Sequence, residues 1–152
     1  MSRSFNILPL GAPQIPIVFP LVNAAYPDID MDRWQQFAGA LIEAPQLSGA
    51  LGLQGEGGYF SGVLIYRISR DLRTGLYLAV DLFVALDLVD GRAAVEALMS
   101  TAEARAAELD CASVQLRIDS SHKSLVQHAK RTGYATAAEL LSKKIPKRTA
   151  PN

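Results

Sequence analysis

The sequence has few of the residue types that mark specialised classes of protein. It contains one cysteine in 152 residues, so an internal disulfide is excluded. Fifteen Lys and Arg balance fifteen Asp and Glu, so no net charge attracts nucleic acid or an anionic membrane. No apolar run reaches the roughly 18 residues that a membrane-spanning helix needs. We therefore expect a globular protein without nucleic-acid or membrane partners.

Signals for secretion and for metal binding are also missing. Met1–Leu10 lacks the charged start and long apolar run of a signal peptide, which indicates a cytoplasmic location. His122 and His128 fall on different sides of one predicted helix, so no metal site is expected. The single cysteine, Cys111, lies between a helical and a strand-like run, where such a residue is usually a small buried hydrophobe.

The composition that remains is that of a folded domain. Hydrophobic residues make up 49% and charged residues 20% of the chain, a balance that supports a proper core. No internal repeat or linker divides the sequence. It predicts one domain over residues 1–145, followed by a basic tail over residues 146–152.

The first half of the chain predicts a strand, helical segments and a second strand. Ser4–Leu10 reads as a strand, and three prolines after it predict an irregular or broken helical path. Met31–Glu43 has apolar residues at three- and four-residue steps, and Asp30 is placed to cap this amphipathic helix. Gly49–Gln54 predicts the second strand, before a Gly-rich turn.

Two long strands follow, joined by a turn at Asp71–Gly75. Tyr59–Ser69 is rich in β-branched and aromatic residues, and Leu76–Leu86 alternates strictly over its length. That alternation predicts that Asp81 shares a face with Tyr77, Ala79, Phe83 and Ala85. The opposite face is predicted to carry Leu76, Leu78, Val80, Leu82, Val84 and Leu86.

The last third predicts a helix, a strand, a helix and a closing strand. These are Asp90–Leu109, Ser113–Asp119, Ser121–Arg131, ending at Gly133, and Tyr134–Ile145. A strand that follows a crossover helix lies parallel to the strand before that helix. The order therefore predicts an α/β fold with a mixed sheet, in which an antiparallel meander leads into a β-α-β crossover.

From about Tyr59 to Lys144 the sequence resembles the GNAT superfamily of acyl-CoA N-acyltransferases. Leu76–Leu86 resembles the strand before that family's cofactor loop, Asp87–Met99 resembles the loop and helix start, and Lys130–Tyr134 resembles its Gly-aromatic ending. The resemblance implies a sheet of about six to seven strands flanked by about four helices. It also implies acetyl-CoA as acyl donor and a small-molecule or peptide amine as acceptor.

The resemblance also implies a set of cofactor-binding residues. Amides at a helix N-terminus attract a phosphate, and the family uses such a helix to hold the cofactor pyrophosphate. The usual Arg or Gln and two glycines of the loop are replaced here by Asp90, Ala93 and Val95, and Val95 is expected to pack in the core. The cofactor-binding residues implied are Phe83, Val84, Ala85, Leu86, Gly91, Arg92, Ala93, Ala94 and Val95.

Two side chains are candidates for acid–base chemistry. Asp81, between apolar neighbours, is a candidate general base for the acceptor amine, or else a hydrogen-bonded or solvent-facing residue. The family often has a tyrosine acid on the last helix, where this chain has Ala129. His122, near the start of that helix, is then the candidate acid, or else a surface or helix-capping histidine.

Two functions follow from these residues. The first is an acyl-CoA-dependent N-acetyltransferase of unknown acceptor. The alternative is a catalytically degenerate GNAT-fold protein that serves as an interaction or assembly component, which the replaced loop residues and missing tyrosine favour. The apolar stripe of Met31–Glu43 suits either an acceptor pocket or a homodimer face, and the basic tail suits an assembly partner.

Overall fold

The computed structural model describes residues 5–43, 47–86, 91–119 and 121–148. Within these residues the chain forms five strands and four helices. The strands are β1 (Asn6–Pro9), β2 (Ser48–Gln54), β3 (Phe60–Asp71), β4 (Gly75–Ala85) and β5 (Ser113–Leu116), and the helices are α1 (Ile15–Ala25), α2 (Met31–Ile42), α3 (Gly91–Glu108) and α4 (Lys123–Arg131).

The chain divides into two compact units, Met1–Arg117 and Ile118–Asn152. The first unit contains the whole described sheet and helices α1, α2 and α3. The second unit contains α4, whose last residue is Arg131. Gly133, two residues later, has a φ of 109°, as a glycine stop predicts.

The five strands lie in the order β1-β2-β3-β4-β5. The first four pair antiparallel with their neighbours, and β5 pairs parallel with β4 after the chain crosses over through α3. This confirms the predicted antiparallel meander followed by a β-α-β crossover.

The count of six to seven strands is not confirmed, because the closing strand over Tyr134–Ile145 is absent from the described residues. Residues 134–148 form no helix or strand, and residues 135–148 are exposed. A strand exists only through hydrogen bonds to a neighbour, and no described strand pairs with this segment.

Helix α1 forms as one helix despite its prolines. Pro16 lies in the first turn, where its missing N–H costs nothing, but Pro20 lies inside the helix and removes one backbone hydrogen bond. The buried side chains of Ile15, Val18 and Val22 hold α1 against the sheet. Tertiary packing thus overrides the local penalty that predicted a broken path.

Helix α2 begins as its sequence predicts and is fixed to α1 by a buried hydrogen bond. The carboxylate of Asp30 accepts the Arg33 backbone N–H at 2.8 Å, which caps the helix. The indole N–H of Trp34 donates to the Ile15 carbonyl at 2.7 Å. This bond satisfies the one polar atom of a side chain that is otherwise fully enclosed.

One face of the sheet forms a core with α1 and α2. Val63 and Ile65 of β3 and Leu82 and Val84 of β4 belong to this core. Its buried members from the helices and neighbouring strands are Leu10, Ile15, Val18, Val22, Trp34, Ala38 and Ala50.

A β-bulge at Asp81 divides β4 into two halves that face opposite ways. Ile65 pairs with Leu82 and the next residue, Tyr66, pairs with Val80, so Asp81 is an extra residue without a partner on β3. Leu82 joins the α1–α2 core, whereas Val80 lies beside Tyr66 on the α3 face. The prediction of one continuous face on β4 is therefore wrong, because the bulge reverses the alternation. Leu76, Leu78 and Val80 lie on the α3 face, and Leu82 and Val84 lie on the other.

Helix α3 packs on the second face through small and apolar residues. Its buried side chains are Ala94, Leu98, Met99, Ala102 and Ala106. Val95 was predicted to pack in the core, but it is only half-buried, because Ala94 occupies the helix position that faces the sheet. The guanidinium of Arg105 donates to the Tyr66 hydroxyl at 2.9 Å and ties α3 to β3.

The turn between β3 and β4 is held by one carboxylate. Asp71 accepts backbone N–H groups from Arg73 at 2.8 Å and Thr74 at 3.0 Å. These two bonds lower the pKa of the Asp71 carboxyl below its usual value of 3.8. Gly75 completes the turn with a φ of 89°.

The depressed pKa of Asp71 gives a test of this turn. A group whose pKa is lower in the folded state stabilises the fold above its unfolded pKa and ceases to do so as the pH falls through the folded pKa. We expect Asp71→Asn to lower the free energy of unfolding at neutral pH and to have little effect at a pH of about 2. Urea titrations at both pH values, with Glu56→Gln in the exposed turn between β2 and β3 as control, measure the difference. An equal loss at both pH values would contradict this role.

Gly62 and Gly39 form a matched pair for testing the packing of α3. A Cβ on Gly62 would lie 2.8 Å from the Leu98 side chain and 2.9 Å from the Val84 carbonyl, whereas one on Gly39 meets nothing within 4 Å. We expect Gly62→Ala to destabilise the protein by about 1–3 kcal/mol through overpacking. Gly39→Ala, inside α2, should stabilise it by about 0.5–1 kcal/mol. Thermal and urea unfolding give both values, and the same sign for both variants would refute the close packing of α3.

Candidate functional site

Strand β4 continues beyond the point where β5 stops. The parallel pairing runs from Tyr77 opposite Ser113 to Val80 opposite Leu116, and the last bond joins the Arg117 N–H to the Val80 carbonyl at 3.2 Å. Five more residues of β4 follow, and the last four of them, Leu82 to Ala85, are paired with β3 on the other side. Among the described strands, none pairs with this edge of β4 after Val80.

The unpaired edge presents backbone groups of two residues. The Leu86 N–H donates to the Ser61 carbonyl at 2.7 Å, so Leu86 and, two residues earlier, Val84 direct their amides toward β3. Since backbone groups alternate along a strand, Phe83 and Ala85 direct their N–H and C=O groups toward the open edge. Phe83 is buried and Ala85 half-buried, so these groups lie in a partly enclosed place.

The bulge puts the carboxylate of Asp81 at the start of the unpaired edge. Its Oδ2 accepts from the Nε of Arg67 at 2.8 Å, in an ion pair with the neighbouring strand. The Asp81 side chain is 15% exposed and that of Arg67 46%, so solvent reaches the pair mainly from the arginine side. The interpretation of Asp81 as a hydrogen-bonded residue is confirmed, and its role as a base stays a prediction.

Helix α3 begins at Gly91, six residues after Ala85. The first backbone N–H groups of a helix have no acceptor inside it and point out along its axis. A side chain at Gly91 would meet nothing within 4 Å, so the backbone there can be approached closely. Asp87 to Asp90, which the sequence analysis identified with the cofactor loop, lie outside the described residues.

The other predicted cofactor residues of α3 differ in their surroundings. Arg92 is exposed and its Nε donates to the Glu96 carboxylate at 3.2 Å. Ala94 is fully buried and Val95 half-buried, so their side chains belong to the packing of α3 rather than to a ligand surface. The backbone groups of Gly91 and Arg92 and the Arg92 guanidinium stay candidates for cofactor binding, whereas Ala93 already has an interaction within the structure.

The predicted acid, His122, belongs to the second unit, at the residue before α4. Its backbone N–H donates to the Asp119 carbonyl at 2.9 Å, and its own carbonyl accepts the Val126 N–H. The imidazole makes no capping bond to the helix, so the capping interpretation holds for the backbone position only. Ala129, where the family often has tyrosine, is buried in α4.

Two further side chains have defined environments. Cys111 is half-buried, and that desolvation, with a smaller contribution from the Asp110 carboxylate, raises the pKa of its thiol, which disfavours a nucleophilic role. His128 is buried with its Nε2 unpaired in the described structure.

The described residues contain no group of three His, Cys, Asp or Glu side chains that is placed to hold a metal ion. They also contain no helix that is both long and apolar enough to cross a membrane.

The sequence analysis missed Arg67 and the bulge. A charged residue at alternate spacing after Val63 and Ile65 is the only sequence signal for Arg67, and it fits an ordinary solvent-facing position equally well. The bulge has no signal in the sequence, because β4 alternates without interruption on both sides of Asp81. The bulge and the position of Arg67 beside Asp81 become visible only in the register between β3 and β4, which the folded structure fixes.

No protein-family model matches the sequence, and no curated protein matches it. Solved structures do match. AAC(6')-Iy in complex with a CoA bisubstrate analogue superposes with a TM-score of 0.78 at 10% identity, over 94% of this chain and 99% of that one. The aminoglycoside 6'-N-acetyltransferase AAC(6')-Ih from Acinetobacter baumannii gives 0.76 at 15% identity, over 94% and 99%. A GNAT family acetyltransferase from Staphylococcus aureus gives 0.71 at 14% identity, over 93% and 99%.

These similarities extend over nearly the whole of each chain, and they agree with the observed strand order and with the parallel β4–β5 pair. The identities are too low to carry a substrate or a residue from one protein to another. What the superpositions share is the arrangement of helices and strands. This chain has the GNAT fold.

Proposed function

We propose that this protein is an acyl-CoA-dependent N-acetyltransferase. The observation that carries the proposal is the edge of β4 beyond β5, where the amides of Phe83 and Ala85 point away from β3. A partly enclosed strand edge whose donors face no described strand is costly unless something binds there. The start of α3 follows within a few residues and adds a second set of backbone donors.

The residues present fit an acyl-CoA in two places. The Phe83 and Ala85 backbone groups suit the amide and thioester carbonyls of the pantetheine arm, which are uncharged and need single hydrogen bonds. The N-terminal amides of α3 at Gly91 and Arg92 suit the pyrophosphate, which is attracted by the helix dipole. The Arg92 guanidinium is exposed and forms a surface ion pair with Glu96, so it can turn toward the phosphates at small cost.

Acyl-CoA supplies an activated carbonyl, and the protein must bind it, orient the amine and move protons. Backbone donors at the β4 edge are fixed by the β3 ladder, so they need no rearrangement to stabilise negative charge on the carbonyl oxygen. Because these donors are backbone groups of a strand, they stabilise the carbonyl oxygen whether or not the usual side chains of the cofactor loop are present.

Asp81 is the proposed general base. The ammonium form of an amine has to lose a proton before it can attack a carbonyl. The ionised carboxylate has about four acceptor positions and gives one to Arg67, so it can still accept a hydrogen bond from an amine directly or through water. Arg67 orients the carboxylate and is therefore a positioning residue.

His122 is the proposed proton donor to the departing thiolate. The proposal rests on its place before α4 in the family resemblance and on the ability of imidazole to exchange a proton near neutral pH. The acceptor is proposed to be an amine of a small molecule or peptide. Among similar structures, the AAC(6') proteins act on aminoglycosides, which are small-molecule amines.

The alternative function is that of a catalytically degenerate GNAT-fold protein that acts in an assembly. Specific observations favour it: Ala129 offers no proton donor, and the Arg92 guanidinium is bound to Glu96. The two functions differ in whether the β4 edge binds CoA at all, and that difference decides the first experiment.

Proline substitutions separate the proposed binding edge from the sheet itself. Proline at Ala85 removes an N–H that points to the open edge, whereas proline at Leu86 removes the bond to Ser61. We expect Ala85→Pro to weaken binding of desacetyl-CoA by about tenfold or more while the protein stays folded. Leu86→Pro should chiefly reduce thermal stability. Isothermal titration and melting curves measure both effects.

The same titration tests the helix start through Arg92→Ala and Gly91→Pro. Arg92→Ala should weaken CoA binding in a salt-dependent manner, because it removes a charge near the phosphates. Gly91→Pro restricts the backbone and removes an amide at the helix start. Failure of the unaltered protein to bind CoA at roughly millimolar concentration would reject the transferase and leave the assembly role.

Asp81→Asn keeps the size of the side chain and an acceptor for Arg67 but removes the base. With an amine acceptor found by screening for thiol release, we expect kcat to fall about 10²–10⁴-fold while CoA affinity is unchanged. Arg67→Gln, which leaves the carboxylate in place but removes its ion-pair partner, should lower kcat by a smaller factor.

Asp28→Asn, at an exposed loop position, is the matched control for loss of one carboxylate. It should leave rate and binding unchanged. If Asp81→Asn retains full activity, Asp81 is not the base, and its ion pair with Arg67 serves the fold alone.

A further inference from the structure

The sheet face that packs against α1 and α2 changes from apolar to polar at the bulge. Its apolar part ends at Ile65 and Leu82, which belong to the α1–α2 core. The Ser48 hydroxyl, on the β2 residue that pairs with Arg67, donates to the Leu41 carbonyl near the end of α2 at 2.8 Å. The layer formed by α1 and α2 therefore ends beside Arg67, and polar side chains follow across β3, β4 and β5.

Strand register identifies the side chains of this polar part of the face. Ser69 follows Ile65 at alternate positions of β3 and pairs with Tyr77, which in turn pairs with Ser113 on β5. Gln115 lies two residues further along β5, on the same face. All four polar residues are half-buried, and the described residues provide no hydrogen-bond partner for their hydroxyl and amide groups. These groups are therefore available to a ligand.

Arg117 continues this row beyond the end of β5. Its backbone N–H donates to the Val80 carbonyl at 3.2 Å, the last bond of the parallel ladder, so its side chain lies on the face of Gln115. Val80 immediately precedes Asp81, which places the backbones of Arg117 and Asp81 roughly 5 Å apart, the spacing of neighbouring strands. Arg117 is exposed, and no described carboxylate forms an ion pair with its guanidinium.

The charges on this part of the sheet favour an acceptor that carries a negative group. Between the bulge and the β3–β4 turn, the face has one carboxylate, that of Asp81, and two guanidinium groups, those of Arg67 and Arg117. The Arg67 guanidinium is held by Asp81 at 2.8 Å, so Arg117 supplies the cation that can bind a ligand. A guanidinium binds a carboxylate through two parallel hydrogen bonds, whereas a polycationic amine meets an excess of positive charge here.

We infer that the acceptor is an amino acid, whose carboxylate binds to Arg117 while its amine faces Asp81. The inference rests on the proposed acetyltransferase function and specifies its acceptor class. In an α-amino acid one carbon separates the two groups, so both can be reached from neighbouring strands roughly 5 Å apart. The hydroxyl and amide groups of the same face can bind the rest of the acceptor.

Transfer to such an acceptor has a defined proton balance. The amine nitrogen forms a bond to the acetyl carbonyl carbon, and the carbon–sulfur bond breaks with its electron pair going to sulfur. The ammonium group loses two protons in all, the first to Asp81; one is taken up by the thiolate and one is released to solvent. Because the carboxylate of the acceptor takes no part in the bond changes, Arg117 can hold it throughout.

A matched set of acceptors tests the inference with the full-length protein. Each common L-amino acid is compared with its C-terminal amide, which has the same amine but no carboxylate, and with neamine, an aminoglycoside with several amines. Thiol release from acetyl-CoA measures kcat and KM. We expect kcat/KM for the preferred amino acid to exceed that for its amide by about tenfold or more. The amine of the amide is less basic, so intrinsic reactivity at neutral pH cannot cause this preference.

Arg117→Gln removes the guanidinium but keeps the backbone N–H that bonds to Val80. It should raise KM for the amino acid about tenfold or more and leave KM for the amide and the affinity for desacetyl-CoA unchanged. Arg117→Lys keeps the charge and should restore part of the loss. Arg73→Gln, in the exposed turn between β3 and β4, removes the same charge elsewhere and should change none of these values. Melting curves check that all three variants fold.

Titration with desacetyl-CoA separates failure of the inference from failure of the transferase function. If the protein binds desacetyl-CoA and acetylates the amides or neamine as fast as any amino acid, the acceptor is not an amino acid, and the transferase function stands. A preference for the carboxylate that Arg117→Gln retains would overturn the role of Arg117. No binding of desacetyl-CoA at roughly millimolar concentration would reject the transferase function and the acceptor class together.

Discussion

The geometry of the candidate site depends on one backbone irregularity, the bulge at Asp81. Without it, the alternation of β4 would continue, and Leu82 and Val84 would lie on the same face as Leu78 and Val80. With it, the first half of β4 supplies side chains to the α3 face and the second half supplies them to the α1–α2 core. The extra residue is also the one that carries the carboxylate.

The end of β5 at Leu116 is the second constraint. Because the parallel pair ends opposite Val80, just before the bulge, β4 leaves its neighbour at the same place where it changes face. The amides of Phe83 and Ala85 thereby become available on a strand that β3 holds rigid. A site made from strand backbone depends little on which side chains occupy it, so replacement of loop residues need not remove it.

The close approach of α3 to the sheet is a third constraint, because it helps to position the N-terminus of α3 near the open edge of β4. Gly62 permits this approach, since any Cβ there would overlap Leu98 and the Val84 carbonyl. Gly49 leaves room for the ring of Tyr66, whose hydroxyl accepts the bond from Arg105 of α3. Two residues without side chains thus leave room for the contacts of β3 with α3.

Much of the fold was determined by the sequence alone, through local patterns. The 3.6-residue spacing of α2 and α3, the Asp30 cap, the alternation of the long strands and the crossover order all predict what the structure contains, since these signals act within a few residues. The resemblance carried by Leu76–Met99 likewise pointed to the GNAT fold. Asp81, Phe83, Ala85 and Gly91 were named as candidates from the sequence, although without their geometry.

Only the tertiary structure decided the properties that depend on partners distant in the chain. The register between strands determines three features: the bulge, the Arg67–Asp81 ion pair and the early end of β5. The alternation of residues within one strand does not predict that register. Helix α1 forms through its prolines because burial of Ile15, Val18 and Val22 outweighs a local penalty. The closing strand predicted over Tyr134–Ile145 is absent from the described residues for the converse reason. A sequence pattern can favour an extended segment, but only a neighbouring strand supplies the hydrogen bonds that make it part of a sheet.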